Sequence, residues 1–299
     1  MKEPNAKRQL RFILPWVALL LLPAVLIPSL SAGALKNRET RAVREGVSVV
    51  ERLAARDPAE VDRVIRAQAA EQRRKQIEAW LEKSMQEQSE GLEQGSIWEH
   101  FSDYVILGDS RAVGFIVYRL LDPSRIMAEG GLTIRDIPNY LDAIKTINPG
   151  YIYLCFGLND AGIGYWDTAE EYAAEMQERI AQLKEAAPDA RIIVSSILPA
   201  TESAMERSPS WRKIPAFSEA VRQLCGKDGV AFADNDETAA KYMDTLWDED
   251  GVHLDREFYP YWAKNLLLAA IEAEFEEGGE AYAQAEEAYE AADKSNEYG

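Results

Sequence analysis

The chain has 299 residues, 47% of them hydrophobic and 28% charged, which is enough to bury a sizeable core and too apolar for global disorder. Its net charge of −18 argues against nucleic-acid binding, because phosphate recognition needs a basic surface. Much of the excess is local: Glu272–Gly299 is glutamate-rich and holds one lysine, Lys294.

The N-terminus reads as a targeting or anchoring segment, residues 1–38. Lys2, Lys7, Arg8 and Arg11 precede an uncharged apolar run, Phe12–Leu35, long enough to span a bilayer. Positive charge before such a run holds the N-terminus in the cytoplasm and sends the rest outward. Two readings stand. Ala32-Gly33-Ala34 offers a signal-peptide cleavage site, whereas an uncleaved run would tether the chain to the cytoplasmic membrane despite Pro15, Pro23 and Pro28. Both place the remainder on the cell surface or secreted.

Residues 39–100 read as a charged helical stalk. Asp57-Pro58-Ala59-Glu60 is a helix start, with Asp57 as cap and Pro58 at the first helical position. Ile77, Trp80, Leu81 and Met85 give a partial apolar stripe; the heptads are too irregular to indicate a dimerising coiled coil.

From residue 101 to 276 the pattern alternates. Strand-like runs are Tyr104–Leu107, Arg125–Ala128, Tyr151–Phe156, Arg191–Leu198 and Val230–Ala233. Helical runs include Arg135–Ile147, Ala169–Ala187, Pro215–Cys225 and Glu257–Phe275. Strands each followed by a helix predict a flavodoxin-like three-layer α/β/α sandwich with a five-stranded parallel sheet of order 2-1-3-4-5. Cys155 falls inside a strand pattern and reads as a buried thiol. The acidic tail, 277–299, is either a solvated helix or disordered and carries no assigned chemistry.

Chemistry concentrates at the carboxyl ends of the strands. Ser110 ends the run Tyr-Val-Ile-Leu-Gly-Asp-Ser, residues 104–110; Gly157-Leu158-Asn159-Asp160 ends the third strand. In this topology the winding reverses between strands 1 and 3, so the serine and an amide side chain converge there. The chain has two histidines, and His100 precedes strand 1, at the far end of the sheet. His253, with Asp250 three residues before it, is therefore the base available to Ser110. Read alone, Ser110 could also be a helix cap, and Asn159 likewise.

Gly-Asp-Ser at 108–110, the glycine after strand 2, Gly-Leu-Asn-Asp at 157–160 and Asp-x-x-His at 250–253 resemble, in order and spacing, the SGNH hydrolases, or GDSL esterase/lipase superfamily. The resemblance spans Asp103 to Ala273. It implies Ser110 as nucleophile, His253 as base and Asp250 as its orienter, with an oxyanion hole from Ser110 N–H, Gly131 N–H and the Asn159 amide. Gly131 is preferred to Gly130 because Gly131-Leu132-Thr133 fits the family spacing. Arg111 departs from the pattern, standing where leucine is common. A serine at a helix N-terminus would also sit in a positive backbone field.

Arg111, Tyr165, Trp166, Trp211 and Trp247 are the candidates to line the substrate site, the aromatics suiting a sugar ring. No cofactor or metal is implied: Asp248, Glu249, Asp250 and Asp255 lack the spacing of a calcium loop. The expectation is a monomeric, extracytoplasmic serine esterase acting on short-chain acyl esters, such as O-acetyl groups of glycans. Acyl transfer to an envelope glycan, and a catalytically idle glycan-binding scaffold, are the alternatives.

Overall fold

The computed structural model describes residues 58–89, 96–228 and 230–275. The expected membrane segment, the stalk before residue 58 and the acidic tail lie outside the described residues. Among the described residues no helix is long and apolar enough to cross a membrane. The chain divides into two compact units, Met1–Gln68 and Ala69–Gly299. Of the first, only helical residues 58–68 are described; the sheet, both cores and the candidate site belong to the second.

Helix α1 (Pro58–Ser89) is followed by β1 (Tyr104–Gly108), α2 (Gly114–Val117), β2 (Ile126–Ala128), α3 (Leu141–Ile147), β3 (Tyr151–Cys155), α4 (Leu158–Ile163), α5 (Ala169–Ala186), β4 (Arg191–Ser195), α6 (Glu202–Arg207), α7 (Ile214–Asp228), β5 (Ala231–Ala233), α8 (Asp236–Leu246) and α9 (residues 259–275). The five strands are parallel, in the order β2-β1-β3-β4-β5. β1 is buried at all five positions because strands flank it on both sides and helices cover both faces, which is why its sequence is an unbroken apolar run.

Alternate strand residues feed opposite cores. Val105, Leu107, Ile152, Leu154, Ile192 and Val194 pack against α3, α5 and α7 through Ile144, Tyr172, Met176, Ile180, Phe217 and Val221. Ile106, Tyr153, Cys155 and Ile193 pack against Leu81 of α1 and Trp262 and Leu266 of α9. The expected apolar stripe of α1 is thus used in part: Leu81 is fully buried, Ile77 and Met85 pack beside it, and Trp80 stays exposed. Cys155 and Cys225 are free, buried thiols.

Three elements differ from expectation. The helix predicted over Arg135–Ile147 is a 3-10 helix, Ile134–Tyr140, running into α3; Pro138 lies inside it and has no N–H to continue an α-helix. The stretch 199–213, to which no strand or helix was assigned, holds α6, capped by the Thr201 side chain, and a second 3-10 turn, Pro209–Lys213. Helix α8, Asp236–Leu246, was not predicted; it packs Ala239 into the second core.

Candidate active site

Ser110 leaves the end of β1 in a turn between two buried neighbours, Asp109 and Arg111. The Asp109 carboxylate accepts from Arg111 N–H and from Leu158 N–H, both at 3.0 Å, and so ties the serine turn to the turn after β3. Burial raises the pKa of Asp109, against the lowering influence of Arg111 and of these two N–H groups. The expected helix N-terminus at Ser110 is a correction: regular helix begins only at Gly114 and lasts four residues, too short for a developed dipole.

His253 lies on the segment 247–254, which is closed at its base by an antiparallel bridge between Trp247 and Leu254. Asp248 N–H donates to His253 C=O at 2.9 Å, and Gly251 N–H to Asp248 C=O at 2.8 Å. This folds the histidine back over the sheet rim. His253 Nε2 stands 2.9 Å from Ser110 Oγ, and Nδ1 stands 2.5 Å from Asp250 Oδ2. Asp250 Oδ1 also accepts the N–H groups of Val252 and His253, each at 2.9 Å. Burial alone would raise the Asp250 pKa; the bonds from the His253 ring and the two N–H groups outweigh it and hold the carboxyl below its ordinary value. The geometry fixes Nδ1–H on the carboxylate and leaves Nε2 to accept from the serine.

Gly131 adopts φ +88°, a backbone region that favours glycine, and a side chain there would be strained. Among the described residues neither Ser110 N–H nor Gly131 N–H has a hydrogen-bond acceptor. Asn159 is half-buried in the first turn of α4, whose cap is Gly157, so it is not a helix cap. Gly157 has φ +132°, and a Cβ there would sit 2.4 Å from the Ile197 side chain. One hydrogen of the Asn159 amide goes to Leu132 C=O at 3.0 Å, which leaves the second available. Asp160 grips the same loop through Ile134 N–H at 2.9 Å. It is fully buried, its Oδ2 has no partner, and burial pushes its pKa up to about 8.

The candidate lining residues separate. Tyr165 is 50% exposed, with Arg135 stacked 4.5 Å over its ring. Trp166 is a correction: it is buried against Tyr172, and its Nε1 donates to Glu175 at 2.8 Å. Trp247 is another, buried against Phe258 with Nε1 on Pro199 C=O at 3.1 Å. Trp211 is half-buried and anchored under α4 through Leu158 C=O at 3.1 Å. Arg111 is the largest correction, being 3% exposed with its guanidinium on backbone carbonyls rather than facing a substrate. His100 sits before β1 with its ring 4.1 Å from Trp80 and Nε2 3.0 Å from Ser84 Oγ, away from the serine.

A family model for the GDSL-like lipase/acylhydrolase family matches residues 106–259, just over half of the chain. No curated protein matches. Among solved structures, a lipase/acylhydrolase from Enterococcus faecalis is 15% identical with a TM-score of 0.46, covering 58% of this chain and 97% of its own. A carbohydrate esterase family 3 protein from Talaromyces cellulolyticus is 18% identical with a TM-score of 0.45, covering 57% and 97%. A mutant acetyl-xylooligosaccharide esterase from Geobacillus stearmophilus is 18% identical with a TM-score of 0.44, covering 56% and 92%.

Proposed function

The chain belongs to the GDSL-like lipase/acylhydrolase family and is an ester hydrolase; we propose that it cleaves short-chain, O-acetyl-type esters of glycans outside the cytoplasm through Ser110, His253 and Asp250. The observation that carries the reading is the continuous chain of contacts from Asp250 Oδ2 through the imidazole to Ser110 Oγ, 2.5 and 2.9 Å.

In this reading Ser110 Oγ attacks the ester carbonyl while His253 Nε2 takes its proton. Asp250 holds the ring and stabilises the imidazolium. Charge on the carbonyl oxygen meets the N–H groups of Ser110 and Gly131 and the second hydrogen of the Asn159 amide. His253 returns the proton to the departing alcohol, leaving Ser110 acylated. Water, deprotonated by His253, then attacks the acyl carbon, and His253 passes the proton to Ser110 Oγ as the acid leaves.

A bulky alcohol part is supported by the openness of the site: the side chains of His253 and Asp250 are 43% and 46% exposed. Tyr165 offers a ring for a sugar on the same rim. The outward location rests on Lys2, Lys7, Arg8 and Arg11 ahead of Phe12–Leu35.

The test is a p-nitrophenyl ester series from acetate to laurate, with Ser110→Ala as control. Acetate should be turned over fastest, and the control should be inert. A preference for laurate would reject the short-chain assignment. Turnover undiminished in the control would reject Ser110 as nucleophile.

A further inference from the structure

Arg111 is a buried cation with no ion-pair partner among the described residues. A charge taken out of water is costly unless its donors are used. Here they are used on backbone. Nε donates to Val252 C=O at 2.7 Å, Nη2 to Pro199 C=O at 2.8 Å, and Nη1 to Leu198 C=O. Burial lowers its pKa to about 10, against the raising influence of Asp109, so the group is still charged at neutral pH. Its own backbone is held at both ends, the N–H by Asp109 Oδ1 at 3.0 Å and the C=O by the Tyr259 hydroxyl at 2.8 Å.

The bond to Val252 matters most. The peptide joining Val252 to His253 has its C=O on Arg111 and its N–H on Asp250 Oδ1 at 2.9 Å. With both polar ends of that plane fixed, the Cα of His253 is fixed too. What remains free is ring rotation, which Asp250 Oδ2 removes. Leucine, common in the related pattern at this position, has no donor and would take the guanidinium from the carbonyls of Val252 and Leu198, leaving Pro199 C=O with Trp247 Nε1 alone.

We propose that Arg111 is the positioning residue of the histidine segment: rooted beside Ser110, its guanidinium sets the placement of Val252–His253 over the nucleophile and locks that segment to the residues following β4. The proposal rests on the reading of Ser110 and His253 as nucleophile and base. A misplacement of the base by about 1 Å lowers turnover by roughly 10²-fold. Substrate binding has no need of this contact.

The experiment compares full-length wild type, Arg111→Leu and Arg111→Lys, each alone and with His253→Ala. It reads kcat and KM for p-nitrophenyl acetate, fluorophosphonate labelling of Ser110, and thermal unfolding. Arg111→Leu should lower kcat and labelling by about 10²-fold with KM changed less than about threefold. Arg111→Lys, which keeps the charge and part of the donor set, should fall between. In the His253→Ala background Arg111→Leu should add nothing, since an effect exerted through the histidine vanishes with it. An equal fall in both backgrounds would overturn the proposal, as would wild-type kcat in either Arg111 variant. If the leucine variant does not fold, the lysine variant carries the same comparison. His253→Ala retaining wild-type turnover would instead sink the underlying reading, whatever Arg111 does.

Discussion

Asp160→Asn gives a test of the site's electrostatics that needs no substrate. The Asp160 carboxyl is fully buried, and its pKa is raised by burial from 3.8 to about 8. Between those two pH values the unfolded chain has released this proton and the folded chain still holds it. Stability from this group is therefore fully present below about pH 4 and is lost as pH rises towards 8. The slope is about 1.4 kcal/mol per pH unit. Over the whole window the loss approaches about 6 kcal/mol. Between pH 5 and pH 7 it is about 3 kcal/mol, or roughly 6–12 °C in Tm for a domain of this size.

Asparagine cannot titrate, yet its carbonyl can still accept from Ile134 N–H. Any fixed penalty of the amide, which faces the same partnerless space as Oδ2, is equal at every pH. Other titrating groups are common to both proteins. Urea denaturation of wild type and variant at pH 5, 6 and 7, with m-values checked for constancy, isolates the carboxyl as a difference in slope. The variant should gain on wild type by about 1.4 kcal/mol for each unit of rising pH. Parallel stability curves would refute the reasoning, because Asp160 would then be ionised in the fold.

Ser110→Ala and His253→Ala should each lower ester turnover by at least about 10³-fold with unfolding unchanged, and the double variant should lose little more; independent, additive losses in steady-state assays would count against a shared mechanism. Asn159→Ala should lower kcat by about 10²-fold or more at nearly constant KM, and a change in KM alone would make it a ground-state binding residue. His100→Ala should leave turnover untouched, because that ring packs on Trp80 and Ser84 away from Ser110. Protease added to wall-stripped intact cells should remove the domain carrying Ser110; protection until the membrane is broken would reject the outward location.

The sheet was legible in the sequence because its signal is local. A strand buried on both faces must be apolar at successive positions, and Tyr104–Leu107 and Tyr151–Phe156 are. Right-handed crossovers and the winding reversal then brought the ends of β1 and β3 together. Strand limits were overdrawn where apolar residues continue past the ladder, as in Ile197 and Leu198 beyond Ser195. Helix α8 went unpredicted although its signal is present: Ala239, Tyr242, Met243 and Leu246 recur at helical spacing and pack on the second core.

The side chains around Ser110 were less legible, for a different reason. Whether Trp166, Trp247 or Arg111 faces water depends on which backbone carbonyls and carboxylates need donors, and for Trp247 and Arg111 those partners lie far along the chain. Arg111 meets Leu198, Pro199 and Val252; Trp247 meets Pro199. An aromatic or arginine in a loop near a nucleophile invites a substrate-facing assignment. Yet irregular backbone at the carboxyl end of a sheet leaves buried carbonyls that must be satisfied, and long side chains carrying N–H groups are what can reach them. Tyr165, whose ring is half exposed, is the lining candidate left most open to substrate by that demand. Specificity in this site should therefore be sought first at Tyr165 and Arg135, while changes at Arg111 and Trp247 should act on turnover through the geometry of the loops they hold.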